Sequence, residues 1–250
     1  MNPAVNISLI LPAFNEARVI RNTIEEAVAY FRRRGLSYEI IVAADGDDGT
    51  REIVREMGKA DTAVTAIGSP QRSGKGRGIR KAVEIAAGQV IGYADADNKV
   101  PIDELDKLLP LIQNEGYAVA FGSRAMAKSS IEIKQPLYRQ IGSRGFYLFL
   151  KLVIGLDGIR DTQCGFKMFS RQAAKCIFGL QKVDGYMFDV EVLLLAKRLG
   201  LKMIEVPIRW HDDADSRLDL IGGNLRNVKD VISIRFSLPR IGEDGREKSR

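Results

Sequence analysis

The chain has 250 residues, 45% of them hydrophobic and 28% charged, which supplies a full core and excludes a disordered or fibrous chain. The formal charge of +6 and a pI of about 9.3 favour partners that carry phosphate or anionic lipid. Cys164 and Cys176 stand in no metal-ligand spacing, no apolar run reaches the ~20 residues of a membrane span, and no signal peptide is apparent, so a cytoplasmic protein is expected.

In chain order, Asn6–Leu11 reads as a first strand ending at Pro12. Asn15 and Glu16 then open a helix with Ile20, Ile24, Ala27, Val28 and Phe31 on its apolar face. Glu39–Ala44 is a second strand, Thr50 starts a helix that ends near Gly58, and Ala63–Ile67 is a third strand. A Gly-rich basic loop, Arg72–Gly78, feeds a helix from Ile79 to Ala87, and Gln89–Tyr93 is a fourth strand. After Pro101, Leu105, Leu108, Leu109 and Ile112 mark a further helix, and Ala118–Phe121 a fifth strand. This alternation predicts an α/β fold, a mostly parallel twisted sheet flanked by helices. The second half is less regular, with a helix over Val190–Leu199 and a strand over Lys202–Val206. No linker interrupts the chain, so residues 1–240 are expected to form a single domain and 241–250 a charged, disordered tail.

The chemistry-bearing residues follow the strands. Asp95 and Asp97, at i and i+2 after the fourth strand, are expected to project to one side on extended backbone, with Ala96 pointing away. Two carboxylates that close repel one another unless a cation lies between them, and hard oxygen donors suit Mg²⁺ or Mn²⁺. A polar strand-to-loop turn is the simpler alternative. Pro12-Ala13-Phe14-Asn15-Glu16 places an amide and a carboxylate where a helix cap would also serve. Asp45 ends the second strand and can accept hydrogen bonds from a base or ribose. Lys75 and Arg77, among glycines, suit a diphosphate, although a flexible surface loop carries the same composition. Asp189 and Glu191 orient a sugar or a cationic side chain, or cap a helix. His211 is a candidate third metal ligand or an incidental polar residue, and Trp210 a sugar platform or core. The apolar stretches 146–154 and 225–238, both interspersed with cations, read as core helices or as interfacial helices on a membrane.

Together, Pro12–Glu16, Asp45-Gly46 and Asp95-Ala96-Asp97 resemble the opening motif, nucleoside-binding loop and metal triplet of the inverting family-2 glycosyltransferases of GT-A fold. Ala44 stands where that family usually has a first aspartate. Gly122-Ser123-Arg124, Asp161–Phe169, Phe188-Asp189-Val190-Glu191 and Trp210 with Ser216-Arg217 resemble the polyprenyl-phosphate sugar synthases, the dolichyl-phosphate glucosyl- and mannosyltransferases among them. The resemblance implies a GT-A (Rossmann-like) fold and metal-dependent transfer of a hexose from a nucleotide sugar, UDP-glucose before GDP-mannose, to a polyprenyl or dolichyl phosphate. The donor would lie on Pro12, Ala13, Asn15, Glu16, Asp45, Lys75, Arg77, Asp95 and Ala96, with the metal on Asp95 and Asp97. Catalytic roles fall to Asp95, Asp97, Arg124 and Asp189. Acceptor binding falls to Arg124, Arg139, Arg144, Gln163, Lys167, Ser216 and Arg217. A peripheral, anionic membrane surface is the implied partner, and nucleic acid is not. A transferase acting on a sugar hydroxyl, a nucleotidyltransferase and a non-catalytic nucleotide-sugar-binding protein are the competing readings.

Overall fold

The computed structural model describes residues 5–126, 129–131, 150, 153–156, 158–211 and 222–237. Its centre is a seven-stranded sheet of order β3-β2-β1-β4-β7-β5-β8. The strands are β1 (Ile7–Phe14), β2 (Tyr38–Asp45), β3 (Val64–Ile67), β4 (Val90–Ala94), β5 (Val119–Ser123), β7 (Phe166–Ser170) and β8 (Met203–Pro207). A small parallel pair joins β6 (Ser130–Ile131) to β9 (Arg209–Trp210). The helices are α1 (Ile20–Arg33), α2 (Thr50–Ala60), α3 (Lys75–Ile85), α4 (Leu105–Gln113), α5 (Arg171–Leu180), α6 (Phe188–Arg198) and α7 (Gly222–Ser237).

The apolar runs become strands because both faces are covered. In β1, Ile7, Leu9 and Leu11 pack with Ile20, Ile24 and Phe31 of α1, while Ile10 faces Ile79, Ala82 and Val83 of α3. That burial on two sides is why the runs are continuous rather than alternating. β1 continues past Pro12 to Phe14. Its pairing with β4 covers only Ile7–Ile10, so Pro12 is flanked by β2 alone and its missing N–H is tolerated.

Two expectations are corrected. Helix α1 begins at Ile20, not at Asn15-Glu16: the Glu16 carbonyl accepts from the Val19 and Ile20 N–H groups, but Asn15 adopts φ 57° and leads into a turn. Lys75-Gly76-Arg77-Gly78 is not a loop but the first turn of α3. Gly76 sits there because a side chain would strike the Val183 carbonyl and the Phe188 Cβ, so the glycine admits close packing of two segments. The sheet is mostly parallel, as expected; only β7, between β4 and β5, runs antiparallel. β7 and α5 were not expected, because Lys167 interrupts the apolar run Phe166–Phe169.

In the stretch 146–154, Leu150 and Ile154 lie in the core with Phe169 and Leu195, which is the core-helix alternative for those positions. Phe146, Tyr147 and Phe149 lie outside the described residues. No helix among the described residues is long and apolar enough to cross a membrane.

Candidate active site

The carboxyl ends of β1, β2, β3, β4 and β5 point to one edge of the sheet. Antiparallel β7 brings the segment before it, 161–165, to the same edge, since Phe166 pairs with Ala94. Open α/β sheets bind ligands along such an edge.

The first three loops are stitched to one another. Asn15 Oδ1 accepts from the Asp47 N–H at 3.2 Å, so the amide ties the β1 loop to the β2 loop rather than capping a helix. The Glu16 N–H donates to Thr50 Oγ1 at 3.0 Å and the Ala17 N–H to Asp48 Oδ2 at 2.9 Å. Burial pushes the Asp48 carboxyl up, but bonds from Thr50 and Ala17 outweigh it and hold its pKa below the usual carboxylate value. Asp45 accepts from the Ser69 N–H at 3.2 Å and from the Ser73 N–H and hydroxyl at 2.7 and 2.6 Å, so it organises the β3 loop. Ala13 is buried beside it and Pro12 half-buried.

Arg51, buried behind this seam, donates to the carbonyls of Ala44, Gly46 and Ser69 at 3.1, 2.6 and 2.8 Å. The Arg72 guanidinium lies 4.4 Å over the Phe14 ring and 5.9 Å from the Tyr186 ring, with both aromatics exposed at the mouth. Sequence reasoning missed Asp48, Arg51, Ser69, Ser73 and Tyr186. Asp48 before Thr50 carried the one available signal, an Asx turn.

At the end of β4 the backbone turns rather than staying extended: the Asn98 N–H reaches the Asp95 carbonyl at 3.3 Å and Asn98 has φ 56°. Ala96 points into the core, as expected, and its carbonyl accepts from Thr23 Oγ1 at 2.8 Å. The turn thus leaves the Asp95 and Asp97 carboxylates at the edge and withdraws the Ala96 side chain, expected among the donor-binding residues, into the core. Lys75 Nζ lies 2.6 Å from Asp95 Oδ1. Burial works against the Lys75 charge, but Asp95 and Asp189 outweigh it and hold its pKa above that of an ordinary lysine. Asp97 is pushed above its ordinary value by burial and by the neighbouring Asp95, with Lys99 opposing at 3.4 Å. The two carboxylates therefore sense one another, although the turn differs from the expected geometry.

Arg77 is not part of this group. Two residues along a helix is a rotation of about 200°, so with Lys75 turned to Asp95, Arg77 is exposed elsewhere. His211 donates its backbone N–H to the Lys99 carbonyl at 2.8 Å. Among the described residues no three His, Cys, Asp or Glu side chains converge as a metal site, His211 with Asp95 and Asp97 included.

On the far side, Asp161 grips Arg124 with two side-chain bonds, Nε–Oδ2 at 2.7 Å and Nη2–Oδ1 at 3.0 Å, and also accepts the Arg124 N–H. The guanidinium lies 5.5 Å from the Trp210 ring, so Trp210 is a platform for Arg124. Arg124's planar fork is thus occupied by Asp161, which leaves it a charge at the rim rather than an open fork for a phosphate. Burial favours a neutral Asp161, but Arg124 outweighs it and its pKa is lowered. Gln163 remains half-buried in the same segment.

Lys167 is corrected outright: it is fully buried and its Nζ is bonded at 2.5 Å to Asp189 Oδ1, so it cannot meet an acceptor phosphate. Asp189 is buried with it and holds a cationic side chain, as one expectation had it. Glu191 accepts from the Lys182 and Val183 N–H groups at 3.0 and 2.8 Å. Arg139, Arg144, Ser216 and Arg217 lie outside the described residues.

Solved structures share this architecture. Mannosyl-3-phosphoglycerate synthase from Rubrobacter xylanophilus matches with a TM-score of 0.67 at 18% identity, over 93% of this chain and 74% of that one. Glucosyl-3-phosphoglycerate synthase from Mycobacterium tuberculosis, in complex with Mn²⁺, UDP and glucosyl-3-phosphoglycerate, matches with a TM-score of 0.67 at 21% identity, over 94% and 81%. The expected GT-A fold is therefore the fold observed. In sequence, a dolichyl-phosphate beta-glucosyltransferase of Trichomonas vaginalis is 33% identical over 92% of this chain and 71% of its own. The protein of that name from Homo sapiens is 30% identical over 94% and 76%. The Glycosyl transferase family 2 model matches residues 8–178, the region that carries the stitched loops, Asp95, Asp97 and the Arg124–Asp161 clamp. The chain belongs to glycosyl transferase family 2 and is a glycosyltransferase.

Proposed function

We propose that the chain transfers glucose, with inversion, from UDP-glucose to a dolichyl or other polyprenyl phosphate at a divalent cation held by Asp95 and Asp97. The observation that carries this reading is the convergence of Asp95, Asp97 and Lys75 at the edge where the β1, β2 and β3 loops meet, in a chain similar over nine-tenths of its length to dolichyl-phosphate beta-glucosyltransferases. Two oxygen-donor carboxylates whose charges disfavour one another fit Mg²⁺ or Mn²⁺, which would take its remaining ligands from the donor diphosphate. When bound, the ion supplies Lewis-acid stabilisation of the leaving nucleoside diphosphate.

The chain's own residues do the rest. Lys75, already at the Asp95 carboxylate, places a second positive charge beside the leaving group. The exposed Phe14 ring at the end of β1 offers a flat face for the base. Arg124 presents its charge at the acceptor side, held by Asp161 and Trp210. A phosphate monoester is already largely ionised near neutrality, its second pKa being about 6, so it attacks without a protein base. That agrees with Asp189 being buried rather than poised as one.

The lipid acceptor also places the enzyme at a bilayer surface. Exposed Ile232 and Phe236, one turn apart on α7 among exposed Lys229 and Arg235, support contact with anionic lipid. The test is incorporation from labelled UDP- and GDP-sugars into polyprenyl phosphate with Mg²⁺ or Mn²⁺, alongside flotation with anionic vesicles at low and high salt. UDP-glucose-dependent, metal-dependent labelling of the lipid, with salt-sensitive flotation, is expected. Transfer only to a sugar hydroxyl, or none to any acceptor, overturns the reading.

A further inference from the structure

We infer that Lys167 is a positioning residue: its buried ammonium holds segment 161–165 in place and, through it, both Asp95 and Arg124. All three of its donors are used, on Asp189 Oδ1 at 2.5 Å, the Thr162 carbonyl at 3.0 Å and the Cys164 carbonyl at 2.7 Å. Asp189 Oδ1 also accepts the Tyr93 hydroxyl at 2.6 Å, so the pair is anchored to β4 and α6 together.

The segment that Lys167 grips touches the site at both ends. At one end the Gly165 carbonyl accepts the Asp95 N–H at 3.0 Å, and Gly165 lies so close to the Asp95 carboxylate that a Cβ would overlap it. At the other end Asp161 clamps Arg124, which lies over Trp210. A buried ion pair is often no better for stability than apolar residues of similar volume. What apolar residues cannot supply is a donor for the two loop carbonyls, and that is the service Lys167 performs. Partners of this kind, which orient a ligand without touching the ion, typically govern affinity or activity by 10–100-fold. The part concerning Asp95 rests on the proposed metal role of that residue.

The test keeps the core packed while removing the tether. Lys167→Met, Asp189→Leu and Tyr93→Phe are combined in the full chain, so no buried charge or hydroxyl is left unpaired, and Lys167→Arg is made alongside. UDP binding is titrated against Mn²⁺, and quenching of Trp210, the single tryptophan, by acrylamide is measured without metal. The triple variant is expected to keep a cooperative melt. Its half-saturating Mn²⁺ should rise about 10-fold, Trp210 should become more accessible to quencher, and Lys167→Arg should recover most of both. A folded triple variant with wild-type Mn²⁺ response and wild-type quenching overturns the inference. If the wild-type protein itself shows no Mn²⁺ response, it is the metal reading that fails. The quenching arm then decides the tether alone, and unchanged quenching rejects it. Should the triple variant not fold, Lys167→Met with Asp189→Asn takes its place, removing both charges while keeping an acceptor for the Tyr93 hydroxyl: shifts in both readouts support the tether, and wild-type values for both reject it.

Discussion

Two lysine–aspartate pairs lie within the same site and differ in almost everything but composition. In Lys75–Asp95 the side chains are 17% and 41% exposed; in Lys167–Asp189 they are 0% and 4% exposed. The first pair is open to exchange partners with a ligand, and such a surface-facing pair contributes on the order of 0–1 kcal/mol to stability. The second cannot exchange with anything in solution, and removing one partner leaves a buried charge uncompensated, at about 3–5 kcal/mol. Exposure, not residue type, separates the pair proposed to meet the substrate from the pair inferred to shape the site.

The comparison breaks most visibly at the carboxylates. Asp95→Ala and Asp97→Ala should each lower turnover about 1000-fold, some ~4 kcal/mol of barrier, while leaving the melting temperature nearly unchanged. Near-normal steady-state rates in both would remove the two carboxylates from the chemistry.

Next in size, Lys167→Met alone should destabilise the fold by about 3–5 kcal/mol in urea unfolding, because Asp189 is left charged in the core. A loss below ~1 kcal/mol would show that the buried pair is not the anchor its geometry describes. Lys75→Met should do the opposite, weakening UDP-sugar binding by about 10-fold, or ~1.4 kcal/mol, in calorimetric titration with little effect on melting.

A smaller effect is read by pH at the Arg124–Asp161 clamp. The folded-state pKa of Asp161 is depressed, so its contribution to stability is present above the unfolded value near ~3.9 and is lost as pH falls through the folded one. Asp161→Asn should therefore flatten the acid limb of stability below about pH 4 relative to wild type; an unchanged limb would assign it to other groups. Smallest of all, the buried Cys164, its thiol pushed up to about 12 by burial and by Asp161, should resist alkylation at neutral pH while the exposed Cys176 reacts. Rapid labelling of both by mass spectrometry would show that the 161–165 segment opens.

Much of this molecule follows from local sequence. Strands β1, β2 and β4 are continuous apolar runs, and burial on both faces by helices is the arrangement that rewards such runs, so the first half of the sheet and its functional edge were legible. Asp95 and Asp97 stood out as candidates for the same reason, two carboxylates two residues apart at the end of such a strand. Gly76 and Gly78 hid the start of α3, because glycine's poor helix propensity is outweighed there by close approach to Val183 and Phe188, a contact more than a hundred residues distant in the chain. The tertiary structure alone decided β7 and the role of Lys167. A lysine inside a short apolar run reads as a break in a strand, or as a free cation for a phosphate, until Asp189, Tyr93 and two carbonyls are brought around it. A buried charge is stable only through its partners, and those partners come from β4, the 161–165 segment and α6, elements that no local pattern links.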